Sequence, residues 1–317
     1  MPAVELLNIS KSYGTTPAVR DISLAVEAGE LFGLIGPDGA GKTTLFRILT
    51  TLLLADAGTA TVAGHDVVRD FRAIRNVVGY MPGKFSLYPD LTVQENLEFF
   101  AAVFRTTVAE NYELVKDIYE QLAPFKNRRS GALSGGMKQK LALCCALIHK
   151  PQVLLLDEPT TGVDAVSRQE FWHMLGTLKA RGITIVVSTP YMDEAALCER
   201  VALLQEGQVL RIDTPAALRA AYPWPLYAVR AARMHPLLQD LRAYPAAHSC
   251  YAFGEAAHLS LRQPAPDAAA RLTAYLTGHG HTGVVVEPVE ATIEDTFMDL
   301  LAQRQPSPNS AHDQPAQ

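Results

Sequence analysis

Residues 31–44 read Leu31-Phe32-Gly33-Leu34-Ile35-Gly36-Pro37-Asp38-Gly39-Ala40-Gly41-Lys42-Thr43-Thr44. Leu31 to Ile35 is short, apolar and stops at Gly36, which is how a strand buried on both faces reads. Gly36 to Thr44 fits G-x-x-x-x-G-K-[ST], and Leu45-Phe46-Arg47-Ile48-Leu49 continues as a helix. Strand, glycine-rich turn and helix in that order make a phosphate cradle. The glycines let successive backbone N–H groups converge on phosphate oxygens, and the helix N-terminus adds partial positive charge. Gly36, Pro37, Asp38, Gly39, Ala40, Gly41, Lys42, Thr43 and Thr44 are therefore expected to bind nucleotide phosphate. Lys42 would neutralise the β- and γ-oxygens, and the Thr43 hydroxyl would serve Mg²⁺.

Outward from this loop, Val153 to Leu156 and Ile183 to Val187 repeat the short apolar pattern, and helical stretches separate the runs. That alternation up to about Pro215 predicts an α/β domain on a largely parallel sheet. Val153-Leu154-Leu155-Leu156-Asp157-Glu158 ends a buried strand on two carboxylates. One suffices for Mg²⁺, directly or through water, and the next can orient a water and accept its proton. Asp157 is assigned to the metal and Glu158 to the water. Residues from about Leu91 to Lys150 read as mostly helical, and Thr92-Val93-Gln94-Glu95 has the Thr and Glu of a capping box.

The 317 residues are enough for about two domains. Lys plus Arg total 28 against 33 Asp plus Glu, a net charge of -5, which argues against a surface built to hold nucleic acid by charge. Cys144, Cys145, Cys198 and Cys250 form no C-x-x-C pair, so a zinc ribbon or disulfide framework is not expected and a reducing compartment fits. Met1 to Ser10 lacks the layout of a secretory leader, and no apolar run approaches the ~20 residues that span a bilayer. Any membrane role is expected through a partner.

Leu133-Ser134-Gly135-Gly136-Met137-Lys138-Gln139-Lys140 lies between the phosphate loop and the acidic strand. It resembles the signature motif of ATP-binding cassette (ABC) ATPases, with Met137 where the family often has Gln. Thr161-Gly162-Val163-Asp164 resembles the family's D-loop, and Ser188-Thr189-Pro190-Tyr191-Met192-Asp193-Glu194-Ala195 the switch region of drug- and lipid-exporter cassettes. The resemblance spans about residues 3 to 215. It implies a P-loop NTPase of the ABC ATPase type: a parallel core sheet, an antiparallel subdomain and a helical subdomain at about 85–150. It further implies that Tyr13 stacks on adenine. Two cassettes, identical or different, would sandwich ATP and Mg²⁺ so that Ser134, Gly135 and Gly136 of one face the γ-phosphate held by Lys42 of the other. Catalysis is expected from Glu158, Lys42 and Ser134, with Thr43 and Asp157 at the metal.

Two positions depart from the family. Gly83 stands where the loop after the strand ending at Met81 usually has Gln, and Pro190 stands where the switch usually has His. Both departures imply slow hydrolysis, or pairing with a cassette that supplies a more complete site. The leading expectation is the ATPase subunit of an ABC exporter, peripheral at the cytoplasmic face of the membrane, with a separate transmembrane permease. The segment Lys84 to Leu97 resembles the exporter loop that meets the permease. The alternatives are a regulatory ATP-binding module and a soluble cassette ATPase. Against the latter, no tandem cassette, zinc cysteines or long coiled-coil insertion is visible.

After Pro215 the pattern changes. Strands at Leu226 to Val229, Cys250 to Phe253, His258 to Leu261 and Thr282 to Val286 alternate with helices at His235 to Ala243 and Asp267 to Thr277. This order suggests a small α+β, ferredoxin-like accessory domain over 216–303. Thr292-Ile293-Glu294-Asp295-Thr296-Phe297 resembles the closing helix of exporter cassettes, and 304–317 is expected to be disordered. His258, His279 and His281 lack metal-ligand spacing.

Overall fold

The computed structural model describes residues 2–83 and 87–304. It divides into two compact units, Met1–Pro215 and Ala216–Gln317. Expectations for Lys84, Phe85 and Ser86, and for 305–317, lie outside the described residues.

In the first unit, β1 (Val4–Tyr13) and β2 (Thr16–Val26) form an antiparallel pair, followed by β3 (Leu31–Ile35) and α1 (Lys42–Leu49). Then come β4 (Ala57–Val62), β5 (His65–Asp66), α2 (Phe71–Val77), β6 (Val78–Met81), α3 (Val93–Val103), α4 (Tyr112–Leu122) and α5 (Gly135–Leu147). The unit continues with β7 (Val153–Asp157), α6 (Ala165–Ala180), β8 (Thr184–Thr189), β9 (Arg200–Gln205) and β10 (Gln208–Asp213).

Among the described residues, one sheet runs β2-β1-β4-β5 and is antiparallel. The other runs β10-β9-β3-β8-β7-β6 and is parallel except for the β9–β10 hairpin. All residues of β3, β7 and β8 are buried, which is why each carries a short apolar stretch, Leu31–Ile35, Val153–Leu156 and Ile185–Val187. Phe32, Leu34, Phe46, Ile48, Leu155 and Val186 share a core with Leu6, Ile22 and Val62, so the two sheets pack around one apolar interior.

The helical region is anchored by a polar staple. Thr92 and Glu95 form the capping box at the start of α3: the Glu95 amide donates to Thr92 Oγ1 at 3.2 Å, and the Thr92 amide to Glu95 Oε2 at 2.7 Å. One turn on, the fully buried Asn96 accepts from the Tyr88 amide at 2.9 Å and donates to the carbonyls of Tyr88, Leu91 and Thr92. One side chain thereby pairs the Tyr88 amide and adds to the bonds that the Leu91 and Ser130 amides and the Ser130 hydroxyl already make to the loop's carbonyls.

The division between units falls in α7 (Pro215–Ala220). The second unit contains β11 (Leu226–Arg230), α8 (Met234–Ala243), β12 (Ala247–Phe253), β13 (Ala256–Leu261), α9 (Ala268–Gly278), β14 (Val285–Pro288) and α10 (Ile293–Arg304). Its antiparallel sheet runs β12-β13-β11-β14, the strand order of a split β-α-β arrangement. Leu237 and Leu241 of α8 and Leu272 and Leu276 of α9 bury against Val229, Cys250 and Leu259.

Two sequence expectations shift here. The last strand starts at Val285 rather than Thr282, because Gly283 at φ +65 turns the chain out of the extended region. Arg304, read as the start of the tail, is the last residue of α10.

That helix opens on a reciprocal cap. Thr292 donates to Asp295 Oδ2 from its amide at 2.8 Å and its hydroxyl at 2.7 Å, and accepts from the Asp295 amide at 3.1 Å. His258 donates from Nδ1 to the same carboxylate at 2.9 Å. Burial alone would push the Asp295 carboxyl up, but the hydrogen bonds from His258 and Thr292 outweigh it and hold it below the usual carboxylate range. The four cysteines are free and buried, and burial raises their thiols, Cys250 to about 11, away from the thiolate that redox or metal chemistry needs.

Two stability outcomes are expected. Asn96→Ala leaves the Tyr88 amide without its acceptor and removes the side-chain bonds to the Tyr88, Leu91 and Thr92 carbonyls, a loss of about 1–3 kcal/mol that amide exchange at Leu91 and Ser130 reads as faster opening. Because the Asp295 pKa is depressed on folding, its stabilisation is present above the unfolded value of about 4 and is lost as pH falls through the folded value. Asp295→Asn should therefore speed exchange in α10 at neutral pH and flatten its response to acid.

Candidate active site

The carboxyl ends of the parallel strands gather the loops that sequence reasoning singled out. Gly36 follows β3, Pro82 and Gly83 follow β6, Glu158 follows β7 and Pro190 follows β8, the edge where open α/β sheets place ligand sites. The Gly36 amide donates to the Thr189 carbonyl at 3.3 Å, tying the first loop to the last strand end.

The phosphate loop needs its glycines for two different reasons. A side chain at Gly36 would collide with the Leu204 carbonyl, so β9 can approach only a residue without Cβ. Gly41 caps α1 at φ 100, where other residues are strained. Ala40 is buried, and its carbonyl accepts from the Gly207 amide at 3.2 Å, bracing the outer side of the turn. Pro37 is partly exposed, Asp38 and Gly39 are exposed, and Thr43 is half-buried beside the buried Thr44.

Lys42 is almost wholly buried, an arrangement an ammonium tolerates only with partners. Its Nζ donates to the Gly36 carbonyl at 2.7 Å and the Pro37 carbonyl at 3.0 Å, and lies 3.1 Å from Glu158 Oε1. The cation assigned to the phosphates and the carboxylate assigned to the water therefore face one another.

Asp157 is buried, and its Oδ1 accepts from the buried Ser188 hydroxyl at 2.7 Å. A Cβ added at Gly83 would sit 3.2 Å from the Asp157 carbonyl and 3.9 Å from Asp157 Oδ2, so Gly83 borders the acidic site. Tyr80 lies close as well. Burial, and then the Asp157 charge, push its phenol up to about 12.

The residues present fit a nucleotide with a hard cation. Glycine spacing leaves a side-chain-free cradle, and a hydroxyl with a carboxylate, Thr43 and Asp157, is the oxygen donor pair that Mg²⁺ takes with phosphate and water. Among the described residues no three His, Cys, Asp or Glu converge as an all-protein cage.

The signature loop is built on helix starts. Ser134 caps α5, accepting from the Met137 amide at 3.3 Å, and Ser134 and Gly135 are exposed. Gly136 is buried: a Cβ there would come 2.6 Å from Ser167 Oγ. Its side is thus taken by α6, whose own cap Asp164 accepts from the Ser167 amide at 3.0 Å and hydroxyl at 2.8 Å. Those bonds hold the Asp164 carboxyl below its usual range. Tyr13 is 47% exposed at the end of β1, available for stacking but held by no polar contact of its ring that the structure shows.

Sequence reasoning missed two features. One is Ser188, which β7–β8 pairing places directly opposite Asp157. The other is the buried Glu194, which accepts from Thr160 Oγ1 at 2.8 Å and has Arg168 Nε 4.0 Å away. Arg168 also lies over the Tyr191 ring at 4.9 Å, so the segment after Pro190 is tied to the loop after Glu158 and to α6. Of the three histidines weighed as a metal trio, His258 pairs with Asp295 and His281 with Asp240 at 2.7 Å, whereas His279 Nδ1 donates to the Tyr275 carbonyl at 2.8 Å.

Known proteins are similar to this chain over most of its length. The family model described as ABC transporter matches residues 19–161. YbhF of Escherichia coli (strain K12), a probable multidrug ABC transporter ATP-binding protein, is 40% identical over 290 residues, 90% of this chain and 49% of that protein. The chain thus spans about half the length of that relative. The Nod factor export ATP-binding protein I of Burkholderia lata is 42% identical over 219 residues, covering 68% of this chain and 72% of the relative.

Among solved structures, an ATP-binding subunit of an ABC transporter matches with a TM-score of 0.63 at 26% identity, over 69% of this chain and 92% of that one. The cassette MJ0796, dimeric in a post-hydrolysis state with ADP and Pi, matches with a TM-score of 0.60 at 26% identity, over 67% and 98%. With 42% identity to a relative of which it covers 72%, the chain belongs to the ABC transporter family.

Proposed function

We propose that this chain binds and hydrolyses ATP, and that ATP-driven pairing of two such cassettes powers export through a separate permease. The observation that carries this reading is the Lys42–Glu158 pair, 3.1 Å apart beside the Ser188-held Asp157. A phosphate-binding cation and a proton acceptor share one edge of the sheet. In this reading a water oxygen attacks the γ-phosphorus, the bond to the ADP oxygen breaks, and Glu158 takes the water proton. Mg²⁺, held by Thr43 and Asp157, supplies charge neutralisation at the phosphates. The exposed Ser134 and Gly135, at the positive end of α5, offer a second anion site to the γ-phosphate of a facing cassette. Tyr13 takes adenine.

Binding that second site only while γ-phosphate is present makes pairing depend on ATP and separation on hydrolysis. The facing cassette is a second copy or a different one. The names of the multidrug and Nod factor relatives, and the dimeric MJ0796 cassette, support export and pairing by likeness.

No helix among the described residues is long and apolar enough to cross a membrane, and in this reading a separate permease carries the cargo. A cleft of about 500 Å³ in the first unit, lined by Ile74, Val78, Tyr80, Phe100, Val103 and Phe104 among others, offers an apolar seat for a permease helix. Exposed Leu52 and Val103 line the same cleft. In this reading the protein works at the inner face of the membrane. The C-terminal unit is an accessory domain.

A second reading, slow turnover with a regulatory role, is favoured by Gly83. Its Cα borders Asp157 but carries no amide to coordinate water or metal, and Pro190 carries no imidazole.

Glu158→Gln should lower ATP turnover by about 10²–10⁴-fold while ATP still binds, as read by single-turnover hydrolysis and nucleotide titration. The double variant Gly83→Gln, Pro190→His should raise turnover of the purified chain. A wild-type rate already near the typical ~10 per second would remove the slow reading.

A further inference from the structure

We propose that Ser188 is a positioning residue for hydrolysis: its single buried hydroxyl sets the Asp157 carboxylate and the Glu158 backbone in one register. The inference rests on the ATPase reading above.

The geometry is specific. Parallel pairing of β7 and β8 puts Ser188 opposite Asp157, and both residues are buried. Ser188 Oγ donates to Asp157 Oδ1 at 2.7 Å and accepts from the Glu158 amide at 3.0 Å. A hydroxyl has one proton to give, and here it goes to the carboxylate. Fixing Oδ1 this way stops the carboxylate from turning and leaves Oδ2, the oxygen nearer Gly83, as the free acceptor.

The same hydroxyl acts on the next residue. Glu158 has φ 49, the left-handed region that a glutamate enters only when its neighbours hold it there. Its amide is shared between Ser188 Oγ and the Ser188 carbonyl, the latter at 3.1 Å. That turn is what aims the Glu158 carboxylate back toward Lys42. Ser188 touches neither nucleotide nor metal in this scheme. It acts through the two carboxylates, as outer partners do for metal ligands, where loss of such a partner changes metal affinity or activity by about 10–100-fold.

Gly83 sharpens the argument. No side chain reaches Asp157 from that position, so orientation of the carboxylate falls on the β8 side.

The test compares Ser188→Ala, Ser188→Cys and Ser188→Thr in the full chain. Mn²⁺ binding is followed by electron paramagnetic resonance with a non-hydrolysable ATP analogue, alongside kcat and KM for ATP and thermal unfolding. The expected result for Ser188→Ala is Mn²⁺ affinity and kcat each lower by about 10-fold or more, with KM for ATP changed less than about 3-fold. Ser188→Thr, which keeps a hydroxyl, should recover most of both even if its melting temperature falls.

Should Ser188→Ala fold poorly, Ser188→Cys, similar in shape with a weak donor, should show the same loss. Wild-type Mn²⁺ affinity and kcat in folded Ala or Cys variants would overturn the proposal. So would a Thr variant as impaired as Ala, since bulk rather than the hydroxyl would then matter. A wild-type chain that neither binds Mn²⁺ with the analogue nor hydrolyses ATP would take down the ATPase reading with it. Normal wild-type activity with an indifferent Ser188→Ala removes this inference alone.

Discussion

Burying β3, β7 and β8 on both faces is the constraint from which the site follows. These strands have no solvent face and run parallel, so their carboxyl ends come to one edge and the chain leaves each at the same level. The loop carrying Lys42, the turn carrying Glu158 and the strand end carrying Thr189 meet for that reason. The apolar core thus sets polar geometry: Gly36 reaches Thr189, and Lys42 reaches Glu158, because Leu34, Leu155 and Val186 pack beneath them.

The edge is also where local conformational cost accumulates. Gly41 and Glu158 both have positive φ, one as a residue that tolerates it and one as a residue that does not. The glutamate is held by hydrogen bonds from its own amide to β8, so the rigidity of that strand is spent on aiming a carboxylate. Lys42, buried with two carbonyls and a carboxylate, is likewise directed by its surroundings.

Much of this was legible in the sequence because it is local. The phosphate loop is nine consecutive residues with a strand before and a helix after, and the acidic pair ends an apolar run that only burial explains. The Thr92 capping box needed four residues to read. What could not be read depends on register or on distant neighbours. Ser188 sits thirty-one residues from Asp157 in sequence, and only the β7–β8 pairing makes them opposite. Gly136 looks like a ligand-facing glycine in its motif, yet its missing side chain answers to Ser167 on another helix. The turn at Gly283 and the last residues of α10 were misplaced because an extended or polar pattern does not carry the φ of a single glycine or the reach of a cap.

The contact between Gly136 and Ser167 has a mechanical consequence. With no side chain between them, the first turns of α5 and α6 are wedged together, and Ser167 is in turn bonded to Asp164. The two turns are therefore braced against each other, and a displacement of one meets the other at once rather than being absorbed as slack.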